Sequence, residues 1–458
     1  MRLSHILLTC SLIVACLVPA MAQIDSNVTL LYHWNDTTIA GSASYNNRYN
    51  EIWGFTRNNR EYAVIGSTQG THIFDVTDAV NSVPVAFVKG AVSTNQIVHR
   101  DFHDYGNYLY MVSDEGESTL QIADISYLPD SVHVVYDSRN LFKRSHNIFI
   151  DSATVRLYVC SVTSTARGYK GLEVYSLQNP ELPQLLKVYN DMGTVHDIYV
   201  RNDTGFCHNG YNGMVVMDFT DTSNFHALGS IDTYPDKGYN HSGWLSEDGK
   251  HYVMADENHG YRLKMLDVSD LSDIKVVATF GSGVDSMSMA HNPLIKGDYL
   301  YVAYYHDGFE LYDISDPANP IKRGYYRTYS AGDHDSYRGA WGCYPFLPSG
   351  HVLVSDMQYG LFVLDVSQVI SSTGDHPKPR SCRVYPNPTT GRLHVRFPEE
   401  MTGQVVRYEV YSMDGRRVLS GTTADENLSL EGLPESIYML SLISGDVRFH
   451  TRISKINP

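Results

Sequence analysis

One element keeps returning in this sequence, and its spacing limits the chain to a small set of folds. A short apolar run ends in Asp, an apolar residue and Ser or Thr at Asp75-Val76-Thr77, Asp124-Ile125-Ser126, Asp218-Phe219-Thr220, Asp267-Val268-Ser269, Asp313-Ile314-Ser315 and Asp365-Val366-Ser367. Tyr175-Ser176-Leu177 fills the third place in degenerate form. The steps between the first residues are 49, 51, 43, 49, 46 and 52. A period of about 40–50 residues marks blade-type repeats, in which one copy cannot bury its apolar face alone.

Within a copy the pattern is β. Tyr- and Val-rich runs such as Ile198-Tyr199-Val200 alternate with Gly-Asn and Asp-Gly pairs, the chemistry of hairpin turns. The repeated Asp is expected to cap a turn through its own backbone, as Asp316 to Pro320 (Asp-Pro-Ala-Asn-Pro) also predicts a bend. Four strands in each of seven copies predict a seven-bladed β-propeller; a solenoid would need a cap at both ends. The seventh copy stops near Gln368, after its third strand. Val28-Thr29-Leu30-Leu31-Tyr32 resembles the fourth-strand segment Gln184-Leu185-Leu186-Lys187-Val188, so the N-terminal strand is expected to close the last blade and remove its open edge.

Composition narrows the partners. The formal net charge is −16, and removing a signal that carries one base and no acid takes it to −17. Residues 381–458 hold nine bases and nine acids, so the surplus belongs to residues 23–380. Such a surface repels phosphate backbones, which argues against nucleic acid. Arg2, an apolar run over 6–18 and the small residues Ala20 and Ala22 read as a secretory signal over 1–22, cut after Ala22. Ile13-Val14-Ala15-Cys16 offers an alternative lipoprotein site at Cys16. No other stretch is long and apolar enough for a transmembrane helix, so none is expected in the mature chain. Cys160, Cys207, Cys343 and Cys382 are too scattered for a disulfide framework and read as free thiols.

The repeat pattern covers 23–370. A Ser/Gly/Pro/Lys-rich linker follows over 371–381, and 382–458 forms a small Ig-like β-sandwich. This tail carries Val384-Tyr385-Pro386-Asn387-Pro388-Thr389-Thr390-Gly391, then Tyr411-Ser412-Met413-Asp414-Gly415-Arg416, Leu433-Pro434 and Ile437-Tyr438-Met439-Leu440. It resembles the C-terminal sorting domain of the type IX secretion system of Bacteroidota; Ser436 stands where that family often has Gly. The resemblance implies export through the outer membrane and partnership with the type IX machinery and its sortase. It further implies removal of the tail, and release or attachment to surface lipopolysaccharide. The repeats, through Val195-His196-Asp197-Ile198, Tyr239-Asn240-His241-Ser242-Gly243-Trp244, Ala290-His291-Asn292-Pro293 and Tyr304-Tyr305-His306-Asp307-Gly308, resemble the LVIVD-repeat, choice-of-anchor B family of secreted proteins. That resemblance implies fold and location and no reaction.

One column of the repeat points to chemistry. His99, His146, His196, His241 and His291 each open the first strand of a copy, with Trp53 and Trp341 in the same slot of the first and last. First strands line a propeller's channel, so these side chains are expected to converge at one level. A second column, Asp114-Glu115, Cys207-His208, Asp256-Glu257, His306-Asp307 and Asp356, is expected beside it on the rim. Imidazole with carboxylate is a ligand set for a divalent metal such as zinc, manganese or iron, and also a general acid–base pair. Three readings follow. The imidazoles staple neighbouring blades; or they hold a metal or small ligand in a binding module whose protein or glycan partner the sequence does not name; or they serve a metal-dependent hydrolase or lyase, with His196, His241 and His291 as ligands and Asp256 or Glu257 as base. An adhesion protein with an empty channel is the structural alternative. His99-Arg100-Asp101 echoes a kinase loop without the Gly-rich phosphate loop, and no EF-hand or Gly-x-Ser-x-Gly elbow is present.

Overall fold

The computed structural model describes residues 25–371, save 191, 222, 225 and 331–333, and residues 383–456, save 397–405, 413–415, 424–426 and 445–446. The signal with Ala20 and Ala22, the alternative site Cys16, nearly all of the linker, Cys382, and Asp414 and Gly415 of the sorting motif lie outside the described residues. The chain divides into two compact units between Ser371 and Ser372.

The first unit is seven antiparallel sheets. Blade one runs through Tyr49–Arg57, Arg60–Ser67, Gly70–Asp75 and Val83–Lys89 in spatial order, and blades two to five repeat that plan. Blade six adds Asp25–Ser26 outside its own four strands. Blade seven has three strands of its own and takes Thr29–Trp34 as the outermost, with Thr29 opposite Asp365 and Trp34 opposite Leu361. The innermost strands are Tyr49–Arg57, Arg100–Tyr105, Asn147–Asp151, Asp197–Arg201, Asn240–Leu245, Asn292–Lys296 and Ala340–Tyr344. Each packs on the next and the last packs on the first, so the sheets close into a ring.

The repeated Asp makes that geometry affordable in sequence terms. In all six Asp copies its Oδ1 accepts the backbone N–H two residues on, at 2.8–3.0 Å, in an Asx turn that stops the third strand. In the degenerate copy the Ser176 hydroxyl accepts from Gln178 N–H at 3.2 Å. Between blades the apolar faces interlock: Phe55, Tyr62, Val64 and Ile73 of blade one bury against Phe102, Leu109 and Met111 of blade two. Each such side chain contributes about 1.5–3 kcal/mol on burial. Trp34, on the closing strand, lies 4.9–5.3 Å from the rings of Tyr49, His72 and Phe74 and so fills the joint between blades seven and one. Gly308 and Gly360 open third strands at φ +81° and +87°. A Cβ there would sit 2.3 Å from the carbonyl oxygen of Tyr326 or Trp34, so the close fourth strand excludes any side chain.

The second unit has a three-stranded sheet, Arg383–Tyr385, Arg392–Arg396 and Asn427–Ser429, and a four-stranded sheet of Arg417–Thr423, Val406–Ser412, Ser436–Ser444 and Val447–Lys455. Leu393, Val395, Leu428, Val410, Leu440 and Ile453 form its buried core. Asn387 donates to the Arg452 carbonyl at 2.9 Å and accepts from Ser454 N–H at 2.8 Å, tying the Pro386-Asn387-Pro388 turn to the last strand. Buried Tyr438 donates to the Pro434 carbonyl at 2.8 Å, while Tyr385 is half exposed. Gly391 accepts Leu430 N–H through its carbonyl at 2.7 Å. Among the described residues no helix is long and apolar enough to cross a membrane.

Candidate functional site

The column of imidazoles meets at the centre of the ring. His99, His146, His196 and His291 immediately precede their innermost strands, and His241 is the second residue of its own. Successive ring centroids are 5.0 Å apart from His99 to His146, 4.0 Å to His196, 4.4 Å to His241 and 4.3 Å to His291. Trp341 completes the circle, 4.8 Å from His291 and 5.1 Å from His99. Trp53 does not share this level. A bulge between Tyr49 and Ile52 puts Tyr49 opposite Ser67, as Asn240 and Ala340 stand opposite Asp256 and Asp356. Asn50 therefore takes the imidazole slot in blade one, and its amide is spent on the Val98 carbonyl at 2.9 Å.

Trp53 belongs to a deeper ring that the sequence columns did not reveal. Trp53, His103, Phe149, Tyr199, Trp244, Phe346 and Tyr344 form a second closed circle, with neighbouring centroids 4.3–5.4 Å apart. Between the circles lie Glu51, Asp101 and Asp197, one or two positions past the imidazole slot. A cavity of about 30 Å³ separates them from the imidazoles and one of about 80 Å³ adjoins the deeper aromatic ring. Either exceeds the room one water or ion needs.

Hydrogen bonds set the imidazole tautomers. His99 Nδ1 meets Glu115, and His146 Nδ1 meets Asp114 Oδ2 at 2.9 Å. His291 Nδ1 donates to the Trp341 carbonyl, a bond to the next blade's backbone that staples blades six and seven. With Nδ1 engaged, each of these three presents Nε2, as metal-binding imidazoles held by an outer partner do. His196 and His241 differ: the Nδ1 of each is buried with no hydrogen-bond partner. Glu257 lies beside them, 3.8 Å from His241 Nε2 and 3.9 Å from His291 Nε2, and accepts from the Tyr305 hydroxyl at 2.6 Å. Two groups of three bring their ligand atoms within 4.8 Å of one another: His99, Asp114 and His146, and His196, His241 and Glu257.

The electrostatics favour neutral imidazoles at His196, His241 and His291. Burial, and then the charge neighbouring imidazoles would carry, hold His196 and His241 well below the usual range, and burial pulls His291 down to about 3. His146 is the exception: burial lowers it, but the hydrogen bond and charge of Asp114 raise it above its ordinary value. Burial pushes Glu51 and Asp197 up to about 7, and burial with the charges of Glu51 and Asp197 raises Asp101 well above its ordinary value. Burial also raises Glu257. Neutral imidazoles with carboxyls that release protons on demand suit a cation, whose arrival displaces those protons.

Not every residue of the second column reaches the ring. Asp256 instead forms a fully buried ion pair with Lys264 and accepts from the Tyr234 hydroxyl at 2.9 Å, which makes it a bond within blade five. His208 is wedged between blades four and five, bonded to Asn240 and Tyr252 at 2.8 Å each. His306 contacts Ser336 at 3.2 Å and the His334 ring at 5.0 Å, and Asp307 bonds His334 at 2.7 Å, away from the imidazole circle. Asp356 accepts the N–H groups of Gln358 and Tyr359 at 2.9 and 2.8 Å. The side chains of these last residues close turns and interfaces. Cys160, Cys207 and Cys343 are buried free thiols.

With this geometry in view, known proteins place the chain. Residues 383–455 match the secretion system C-terminal sorting domain, and residues 289–328, the sixth blade, match the LVIVD repeat. The chain carries an LVIVD repeat and a type IX sorting tail. The tail directs this LVIVD-repeat chain to the cell surface or the extracellular space and to the type IX machinery. No curated protein matches it. Among solved structures, a protein from Lactobacillus plantarum aligns at TM-score 0.50 and 12% identity, over 83% of this chain and 98% of that one. A proposed 6-phosphogluconolactonase from Bacteroides fragilis aligns at TM-score 0.47 and 12% identity, over 70% of this chain and 89% of that one. At 12% identity the likeness to the Lactobacillus plantarum protein extends to the fold alone.

Proposed function

We propose that the LVIVD ring is an extracellular binding module whose ligand site is the imidazole-lined channel mouth, and that a divalent cation held by His196, His241 and Glu257 forms part of it. One observation carries the reading. One ligand atom from each of His196, His241 and Glu257 lies within 4.8 Å of the others, and both imidazoles also keep a buried Nδ1 with no hydrogen-bond partner. Buried polar atoms are rarely left unmatched, and an added partner here would meet neutral nitrogen and carboxylate oxygen, the donor set of zinc or manganese. His291 Nε2 stands close enough to Glu257 to join as a fourth donor. A hydrolase or lyase reading draws on the same groups with Glu257 as base, supported by its raised carboxyl beside the imidazoles. In this proposal the signal over 1–22 is removed, and the sortase detaches the tail and joins the ring to surface lipopolysaccharide or releases it.

The test is calorimetric titration of the chelator-stripped full chain with zinc and with manganese. Saturable binding near one equivalent, lost in Glu257→Gln and in His241→Ala, supports the site. No heat and no thermal shift with either ion would sink it.

A further inference from the structure

An open hollow of about 510 Å³ adjoins the imidazole circle on the side of blades two to five. Its size is within the roughly 300–1,000 Å³ of small-ligand sites. It is lined by His146 and His196, by Arg144, Tyr169, Tyr239, Ser161 and Thr163, and by Asp114, whose carboxylate is already bonded to His146 Nδ1 at 2.9 Å. Four features distinguish it from the remaining surface. Arg144 keeps its Nε buried without a hydrogen-bond partner, in a ring unit that is strongly acidic. Tyr169 is half exposed, at 50%, and Tyr211, 68% exposed, packs edge-on to Tyr239 at 5.3 Å, so flat apolar faces stand in solvent around the opening. Hydroxyls converge there: Tyr169 meets Ser161 at 3.2 Å and Thr194 at 3.3 Å. Ser161 is held at φ +46°, a conformation unusual for a residue with a Cβ and characteristic of functional positions.

A guanidinium lacking an acceptor asks for a planar anion, which it binds through paired N–H groups. Aromatic faces and hydroxyls ask for a ring with C–H faces and alcohol edges. An extended acidic peptide fits less well. The backbone of Arg144 is already bridged to Thr163, with N–H to carbonyl bonds of 3.2 and 2.8 Å, so this wall offers no free strand edge for a peptide to extend.

We propose that this hollow binds an acidic sugar, a uronic acid unit, with its carboxylate on Arg144, its ring against Tyr169 and Tyr239, and its far edge toward His146 and His196. The inference deepens the channel-mouth reading by naming its ligand class, yet the Arg144 contact does not need the cation.

The experiment is saturation-transfer NMR and titration on the full chain with sodium glucuronate and with glucose, which share a pyranose ring and differ at the carboxylate. Glucuronate is expected to bind at least tenfold more tightly than glucose, since a charge-assisted pair is worth about that factor or more. In Arg144→Gln the two sugars should become equal, and Tyr169→Ala should weaken both, with circular dichroism unchanged. Equal binding of the two sugars by the wild-type chain overturns the proposal without any variant. A tetra-aspartate peptide binding more tightly than glucuronate overturns it in favour of an acidic peptide. Repeating the glucuronate titration with EDTA separates the two ideas. Arg144-dependent binding that survives chelation, in a chain that takes up no zinc, keeps the sugar site and removes the cation. Zinc uptake with no preference for glucuronate does the reverse.

Discussion

Asp256 is the sharpest place to test how this ring divides structural from functional carboxylates. It stands next to Glu257 in sequence, yet it pairs with Lys264 where neither side chain has any accessible surface. Lys264 Nζ also donates to the Asp236 carbonyl at 2.6 Å, and the Tyr234 hydroxyl donates to Asp256 at 2.9 Å. Asp256→Leu strips the counter-charge from a buried ammonium, and removal of one partner of a buried pair costs about 3–5 kcal/mol. The companion Lys264→Met carries a similar loss. The double variant leaves no buried charge, and only two neutral groups, the Tyr234 hydroxyl and the Asp236 carbonyl, lose a partner, at roughly 1 kcal/mol each. It should therefore lie about 2 kcal/mol below wild type, far above the sum of the single losses. Urea unfolding followed by tryptophan fluorescence suits the measurement, because all four Trp residues belong to the ring and none to the tail. Zinc titration of the same proteins supplies the second axis, on which Asp256→Leu should match wild type. Additive losses in the double variant would refute the ion-pair account, and so would an Asp256→Leu protein of normal stability that no longer binds zinc.

Other perturbations probe the joints and the charges. Trp34→Ala, at the seam between the closing strand and blade one, should lower stability by about 2–3 kcal/mol, the lower range for aromatic truncation because the ring is only part-buried; an unchanged urea midpoint would show that the seam does not depend on it. His208, fully buried, has its pKa pulled down from 6.5 to about 4 by burial, so it contributes stability that is complete above pH 6.5 and is lost as pH falls through 4. His208→Gln should flatten the stability profile in that window, by about 3 kcal/mol across it. Glu51 and Asp197 act in the opposite sense: pushed up to about 7, they favour the fold below their unfolded values and weaken it as pH rises through 7. A Glu51→Gln, Asp197→Asn protein should thus gain stability at pH 8 relative to pH 5, measured by thermal melts at both. Deleting residues 372–458 should leave the ring folded but held in the periplasm, read by fractionation; surface display of that truncation would contradict the role of the tail.

Much of the architecture is legible without coordinates because a propeller is written in one dimension. Each blade is a local antiparallel meander, and its Asp turn is a contact between residues two apart, so Asp75-Val76-Thr77 and its copies announce the period directly. The sorting tail is equally local, as a run of turn residues around Pro386-Asn387-Pro388. The imidazole column is legible for the same reason: equal positions in repeated units converge once the units close on themselves.

What the column could not decide is where each side chain turns, and that follows from bulges and neighbours. Strand pairing in blade one puts Asn50 in the imidazole slot and Trp53 three residues further along, a register that the sequence spacings to His99, 49 from Asn50 and 46 from Trp53, do not decide. Asp256 and Glu257 alternate across a strand end, so one enters the blade and the other the channel mouth. Glu51, Asp101 and Asp197 look like ordinary strand-start acids until ring closure brings three blades' copies around one cavity. Local sequence determined the strands, the turns and the number of copies, since those depend on backbone preference and nearby hydrogen bonds. Only the tertiary structure decided which imidazoles staple blades, which keep a free nitrogen and which carboxyls face them, because burial and charge act through space between residues that the chain holds tens to hundreds of positions apart.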